Sequence, residues 1–326
     1  MATIKDVAKL AGVGIATVSR VINNSGYVKT ETREKIEKAV KDLSFKPNEI
    51  ARNMTLQKND IVAFILPNST HLFFGELLYS VEEELFKYGY KVMLCNSSEK
   101  IEKELVYLNM LRNKIVDAVI LLTNNDVESY LDKSLPIISF DRRFTNVPFV
   151  ASDNYGGGVL AANYLISKGC KKFMFIGDDA QGIHSHVMTE VSKRRVGFIE
   201  TLEQHGFHDI INIEYPLGDY VVTKEMIKDL VKDYRDVDGI FTVSDAVAHS
   251  IVQIYEEMGK NVPNNVKVIG YDGGRSFLNF GKKITSINQD TNAIAIKIRQ
   301  MIVNYRMQIP NVSQIVPVTI SKGDTA

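Results

Sequence analysis

Neither cysteine chemistry nor a membrane-spanning segment organises this chain. Its 326 residues hold two cysteines, Cys95 and Cys170, 75 positions apart. That excludes a disulfide scaffold and a CxxC zinc site, and it points to a reducing compartment, the cytoplasm. No stretch approaches the ~18–20 continuous apolar residues of a transmembrane helix, so no membrane partner is expected. Behind the charges of Met1-Ala2-Thr3-Ile4-Lys5-Asp6 lies no apolar signal core. Gly156-Gly157-Gly158 is followed by no Gly-Lys-Ser/Thr, which excludes a phosphate loop. His184-x-His186 has metal-like spacing, but it lacks a Cys or acidic partner and reads as a surface loop. Ser244, Asp245 and His249 lie close in sequence, which is not how a spatial triad is recognised. No catalytic residue, metal or cofactor is therefore expected.

What is present is ordinary globular composition, 45% hydrophobic and 24% charged, in a length that allows two or three domains. The net charge of zero conceals an asymmetry. Residues 1–60 carry eleven Lys/Arg against seven Asp/Glu, a net of +4 that leaves −4 for the remainder. A basic N-terminal module on an acidic body points to a polyanionic partner for the first sixty residues.

Those sixty residues read as short helices. Ile4, Val7, Ala8 and Ala11 share one helix face, Gly12-Val13-Gly14 interrupts, and Thr17, Val18, Val21 and Ile22 resume the spacing. A third helix is expected from about Thr30 to Leu43, with Ile36, Ala39, Val40 and Leu43 inward and Pro47 stopping it. Residues 4–23, IKDVAKLAGVGIATVSRVIN, fit a helix-turn-helix unit: Ala8 is small where helices cross, Gly12 serves the turn, and Val13 and Val18 anchor inward. Ile15, Ala16, Thr17, Ser19 and Arg20 are left to face a DNA major groove. Arg20 has the forked donors for a guanine edge or a phosphate, and Thr17 and Ser19 suit backbone contacts. Ile15 and Ala16 offer apolar contact alone.

From residue 61 the texture changes. Ile61–Leu66 is a continuous apolar run, as a buried parallel strand requires. Similar runs at 90–94, 118–122, 137–140, 173–176, 239–243 and 266–270 alternate with helical patterns, for example 77–87, 102–111, 159–167 and 247–258. This is the signature of open, doubly wound α/β sheets, in two groups at roughly 61–150 and 160–288. Ligands of such sheets sit at the carboxyl ends of the strands.

ATIKDVAKLAG and ATVSRVIN, then Thr32-Arg33-Glu34, Phe45-Lys46-Pro47-Asn48 and Ala51-Arg52-Asn53-Met54, resemble the LacI/GalR (lactose and galactose repressor) family. Later landmarks agree: Pro67 to Phe74, Asp117-Ala118-Val119-Ile120, Asp153-Asn154 with Gly157, Arg194 through Gly197-Phe198, Val268-Ile269-Gly270-Tyr271-Asp272 and Gln289. Departures include Gly14 for the usual capping Ser, Lys29 with Thr30 as its replacement cap, His71-Leu72 for Asn-Pro, Ser244-Asp245 for Asn-Asp, and Met54 for the usual hinge Leu.

The resemblance implies an α/β protein with an N-terminal three-helix helix-turn-helix headpiece and a hinge helix. A periplasmic-binding-protein-like body of two doubly wound lobes would follow. The headpiece takes residues 1–60, with the helix-turn-helix at 4–23 and the hinge at about 48–55. The effector-binding and dimerisation domain takes 61–326, lobe 1 at about 61–160 and 291–320 and lobe 2 at about 161–290 and 321–326. Positions 15 and 16 become the main specificity pair, and Thr3, Asn23 and Tyr27 join the DNA-facing set. In the hinge, Asn48 and Ala51 lie against the minor groove and Met54 is the wedge that unstacks a step. Phe73 and Phe74 cover a sugar ring, Arg194 and Asp272 grip vicinal hydroxyls, and Asp141, Asp245 and Gln289 complete the lining. The partners so implied are double-stranded, pseudo-palindromic operator DNA, a second copy of the chain as homodimer, and a sugar or sugar phosphate. The alternative is a global carbon-catabolite regulator that answers to a phosphocarrier protein.

Overall fold

The computed structural model of the protein describes residues 2–45, 58–178, 189–215, 224–274 and 281–326. The chain forms two compact units, Met1–Asn59 and Asp60–Ala326.

In the first unit, α1 (Ile4–Ala11), α2 (Ile15–Ile22) and α3 (Thr30–Asp42) enclose a small core of Val7, Ala8, Val18, Val21, Ile36 and Ala39. The Asp6 carboxylate accepts from the Thr3 N–H at 2.8 Å and from its hydroxyl at 2.7 Å, tying down the first turn. Gly12 ends α1 at φ +65°, a left-handed conformation that lets α2 leave at an angle. Gly14 caps α2 with no side-chain bond. At α3 the expected cap fails: Lys29 holds the N-cap position, also without a side-chain bond, and Thr30 is already helical. The hinge residues Asn48, Ala51 and Met54 lie outside the described residues, as do His184 and His186.

The body holds two six-stranded sheets. In the first, β1 (Ile61–Leu66), β2 (Lys91–Asn96), β3 (Ala118–Leu121), β4 (Ile137–Phe140), β5 (Phe149–Ser152) and β11 (Gln314–Val316) run in the order β11-β5-β4-β3-β1-β2. All its pairings are parallel. In the second, β6 (Phe173–Asp178), β7 (Ile210–Tyr215), β8 (Gly239–Thr242), β9 (Lys267–Asp272), β10 (Thr285–Gln289) and β12 (Val318–Ser321) run in the order β12-β10-β9-β8-β6-β7, with β12 antiparallel. Helices α4 (Leu72–Phe86) and α10 (Thr291–Met307) cover one face of the first sheet, sharing a core with Phe64, Ile120 and Ile138. The second sheet packs on α6 (Asn154–Ser167), α7 (Lys193–Gln204) and α9 (Asp245–Glu257), joined by α8 (Lys224–Val231); α5 (Ile101–Arg112) lies on the other face of the first sheet.

The crossings between sheets differ from the expected lobe boundaries. Helix α6 already belongs to the second lobe, so the first crossing falls at Asp153 rather than near 160. The apolar stretch 315–320 is two strands: β11 extends the first sheet and β12 the second, separated at Pro317. A proline has no N–H for a ladder, and the break releases the chain from one sheet to the other.

Candidate effector cleft and DNA-facing helix

In the first unit, α2 turns Val18 and Val21 inward and leaves Ile15, Ala16 and Arg20 exposed, with Thr17 and Ser19 half-buried at the edge of that face. Thr3 is exposed at the start of α1 and is engaged by Asp6. Asn23 donates from its side-chain amide to the Ser19 hydroxyl at 3.2 Å, and Tyr27 is 87% exposed. Tyr27 and, at 45% exposure, Ile15 are large side chains that stand outside the core of this unit.

In the body, the polar candidates gather where strands of both sheets end. Asp141 follows β4 and Ser152 closes β5 in the first sheet; Asp272 closes β9 and Gln289 closes β10 in the second. Arg194 comes from the first turn of α7. Its Nε donates to Asn154 Oδ1 at 2.7 Å and its Nη1 to the Val243 carbonyl at 2.7 Å, with Asp272 Oδ1 at 3.9 Å. The guanidinium carbon lies 3.6 Å from the centroid of the Tyr271 ring. Asp272 Oδ1 accepts from Gln289 Nε2 at 2.9 Å, and Gln289 Oε1 accepts from the Ser152 hydroxyl at 2.6 Å. Asn154 Nδ2 in turn donates to Asp141 Oδ1 at 3.3 Å and to the Ser152 carbonyl at 3.1 Å. A closed circuit of buried side chains thus runs across the ends of both sheets.

Two glycines allow it. A Cβ on Gly158 would stand 2.1 Å from the Arg194 carbonyl oxygen, and one on Gly197 would stand 2.2 Å from that of Tyr155. Helices α6 and α7 therefore cross with backbones in contact, which brings Arg194 onto Asn154.

Burial dominates the electrostatics. It pushes the carboxyl of Asp141 up to about 6, against the opposing pull of Arg194 and Asn154. Burial likewise raises Asp245 to about 7, with the Glu76 carboxylate adding to the rise while bonds from Ser286 and the Gly273 and Gly274 amides oppose it. Asp272 is raised well above the carboxylate range by burial and by the charges of Asp245 and Asp141, with Arg194 and Gln289 opposing. His71, just before α4, is held neutral: burial and then Arg194 lower it to about 4.

The aromatic pair divides. Phe73 is 5% exposed and packs in the first-lobe core beside Phe140, ring centroids 6.2 Å apart. Phe74 is half-buried against His71 at 4.4 Å. Consecutive helical residues point about 100° apart, so the two rings cannot line one surface together. Asp245 lies at the start of α9, its Oδ2 taking the Gly273 and Gly274 amides at 3.0 and 3.1 Å. Residue-type reasoning passed over Asn154, Tyr271 and His71 as site residues, although Asp153-Asn154 and Tyr271-Asp272 stood out as motifs.

Exposed helix-turn-helix and two-lobed body together define a DNA-binding regulator rather than an enzyme. Residues 3–48 match the family model of bacterial regulatory proteins of the lacI family. Residues 59–318 match that of periplasmic binding proteins and the sugar-binding domain of the LacI family. The chain belongs to the LacI family. It is 37% identical over 298 residues to the sucrose operon repressor of Streptococcus mutans, covering 90% of each chain. It is 33% identical over 322 residues to the ribose operon repressor of Halalkalibacterium halodurans, covering 95% of each. Among solved structures, a periplasmic binding protein/LacI transcriptional regulator from Alkaliphilus metalliredigens complexed with D-xylulofuranose is similar at TM-score 0.72 and 26% identity, over 82% of this chain and 99% of that one.

Proposed function

We propose that the protein is a homodimeric repressor of a carbohydrate-utilisation operon, released from or fixed on its operator by a sugar or sugar phosphate bound between the lobes. The observation that carries the effector site is the circuit Asp141–Asn154–Arg194–Asp272–Gln289–Ser152, which draws its members from both sheets. A ligand held there contacts both lobes and so favours one lobe arrangement over another, which is what a switch requires. Arg194 and Asp272 grip hydroxyls, with Asp141, Asp245 and Gln289 beside them and Phe74 at the rim. Two operon repressors of sugar metabolism among the relatives support the carbohydrate class.

On the DNA side, Arg20 reads a base edge or phosphate, Ile15 and Ala16 meet it with apolar contact, and Thr3, Thr17, Ser19, Asn23 and Tyr27 position the unit. Asn48, Ala51 and Met54 act as the minor-groove hinge. A homodimer sets two units on two half-sites one helical turn apart. No helix among the described residues is long and apolar enough to cross a membrane, and we place the protein in the cytoplasm. The test is fluorescence anisotropy on the promoter DNA of a neighbouring sugar operon, with and without free and phosphorylated sugars. An operator affinity that no sugar changes contradicts the reading, as does equal affinity for random DNA. Sedimentation of the complex should show two chains per operator.

A further inference from the structure

We infer that Glu190 clamps the first-lobe segment carrying Asp141 to the second-lobe helix carrying Arg194. The effector cleft opens only as this clamp opens, which rests on the cleft being the effector site. The main chain of Glu190 is bonded in both directions. Its N–H donates to the Asp141 carbonyl across the lobe junction at 2.8 Å, and its carbonyl accepts from the Lys193 N–H at 3.1 Å, in the first turn of α7. One residue earlier, Thr189 forms an antiparallel bridge with Arg142. A short piece of ladder thus joins the lobes where no chain crossing runs. Glu190 stands four residues before Arg194, about one helical turn, and so lies between two members of the circuit, one from each lobe.

The side chain repeats the link. Glu190 Oε1 accepts from Arg143 Nε at 2.5 Å, and Oε2 accepts from Lys193 Nζ at 2.8 Å. Arg143 follows β4 in the first lobe, so Arg143–Glu190 is the one ion pair between the lobes among the described residues. Burial pushes the Glu190 carboxyl up, and the bonds from Arg143 and Lys193 more than reverse this, which keeps it charged. The first-lobe half of the clamp is firmly mounted. Arg142, its side chain 6% exposed, donates to the Thr123 and Asn125 carbonyls, and its guanidinium carbon lies 4.3 Å from the Phe144 ring centroid. Beside the clamp the lobes face one another across a cavity of about 1040 Å³, with Ser129 on one wall and Tyr155 and Val196 on the other. The Arg143 side chain is 56% exposed, so water reaches the pair and it can break.

The experiment is hydrogen exchange of the full chain, read by mass spectrometry at residues 141–150 and 189–196. Arg143→Met and Glu190→Gln should each speed exchange in both segments about fivefold, the upper range for a partly exposed ion pair. The double variant should exchange no faster than Glu190→Gln alone, and β1 and β8 should exchange as in wild type. Unchanged exchange in both segments overturns the clamp. So does an equal rise throughout the body, which marks general loss of stability. The link to the cleft is read by adding D-ribose, D-fructose or sucrose, with binding measured by calorimetry. A sugar that touches both lobes is lost when they part, so at ten times its dissociation constant it should slow exchange in both segments about tenfold. A sugar that binds and leaves this exchange unchanged overturns the coupling of clamp to cleft. Should none of the three bind, the effector reading falls and takes the coupling with it, while the variants alone decide the clamp.

Discussion

Arg194 and Asn154, forty positions apart in the chain, meet in the buried part of the body, where the guanidinium Nε donates a charge-assisted hydrogen bond to the Asn154 Oδ1 at 2.7 Å. Asn154 accepts from the guanidinium while its own amide donates to Asp141 and the Ser152 carbonyl. One small amide thereby satisfies groups from both lobes.

Asn154→Ala should accordingly cost about 3 kcal/mol of stability, since it strips a partner from a buried cation and from a buried carboxyl at once. Urea unfolding followed by circular dichroism measures this. A loss below about 0.5 kcal/mol, in the range of ordinary surface substitutions, shows that water or a neighbour replaces the amide.

Gly158→Ala tests the helix crossing. The added methyl meets backbone, the Arg194 carbonyl and the Phe198 nitrogen, which has no rotamer to escape into. Overpacking of this kind costs about 1–3 kcal/mol. It should also weaken sugar binding, because it moves the backbone that carries Arg194. Calorimetry that finds wild-type affinity would separate the crossing from the site.

Stability should rise as pH falls from about 7.5 toward 5. Asp141, at about 6, and Asp245, at about 7, stay protonated in the folded body at pH values where the unfolded chain, near 3.8, has lost those protons. The folded state thus binds more protons across that window, and the slope of unfolding free energy against pH is negative. Asp272, also raised, acts in the same direction. Glu104, raised by burial, joins them, while His71, lowered to about 4 from 6.5, and His249, also lowered by burial, oppose them below 6.5, two groups against four. Denaturant titrations at pH 5 and pH 7.5 measure the sign, and Asp245→Asn should flatten the dependence. Greater stability at pH 7.5 would contradict the assignment.

Arg20→Ala should weaken operator binding by about 1–3 kcal/mol if the side chain takes a guanine edge, with relaxed preference at that base pair. If it takes a phosphate instead, sequence preference stays and the slope of log affinity against log salt falls by about 0.9. Anisotropy across a salt series decides between them, and a variant indistinguishable from wild type removes Arg20 from the interface.

Much of the body is legible because strands buried on both faces leave uninterrupted apolar runs: Ile61–Leu66 and Ile137–Phe140 read from sequence with the observed bounds. Strand β10, Thr-Ser-Ile-Asn-Gln, carries no such run, since its polar residues are satisfied by the circuit and by β12. Helix α6 reads only from Val159 because Gly156-Gly157-Gly158 has poor helix propensity. Its first turn is imposed by the Asp153 cap, which accepts from the Gly156 amide at 2.9 Å, and by the crossing with α7. The same blind spot hid Asn154, an ordinary first-turn residue until its partners from other elements are in place. Phe73 shows the opposite failure, an aromatic whose motif suggested a ligand surface while helical phase committed it to the core.

The late return of the chain to its first sheet bears on how the molecule is made. Ile294, Ala295, Ile298, Met301 and Ile302 of α10, and Val316 of β11, complete a core begun at Val62. Between the end of β5 at Ser152 and the start of α10 at Thr291 the entire second sheet, save β12, must leave the ribosome. At about 5–20 residues per second that interval lasts roughly 7–30 s. Throughout it the nascent first lobe exposes an apolar face meant for a helix not yet translated, a natural claim on chaperones during synthesis. Neither lobe exists as a contiguous gene segment, so neither can be expressed alone by simple truncation, and recombination between relatives must exchange the body whole or cut it at three places.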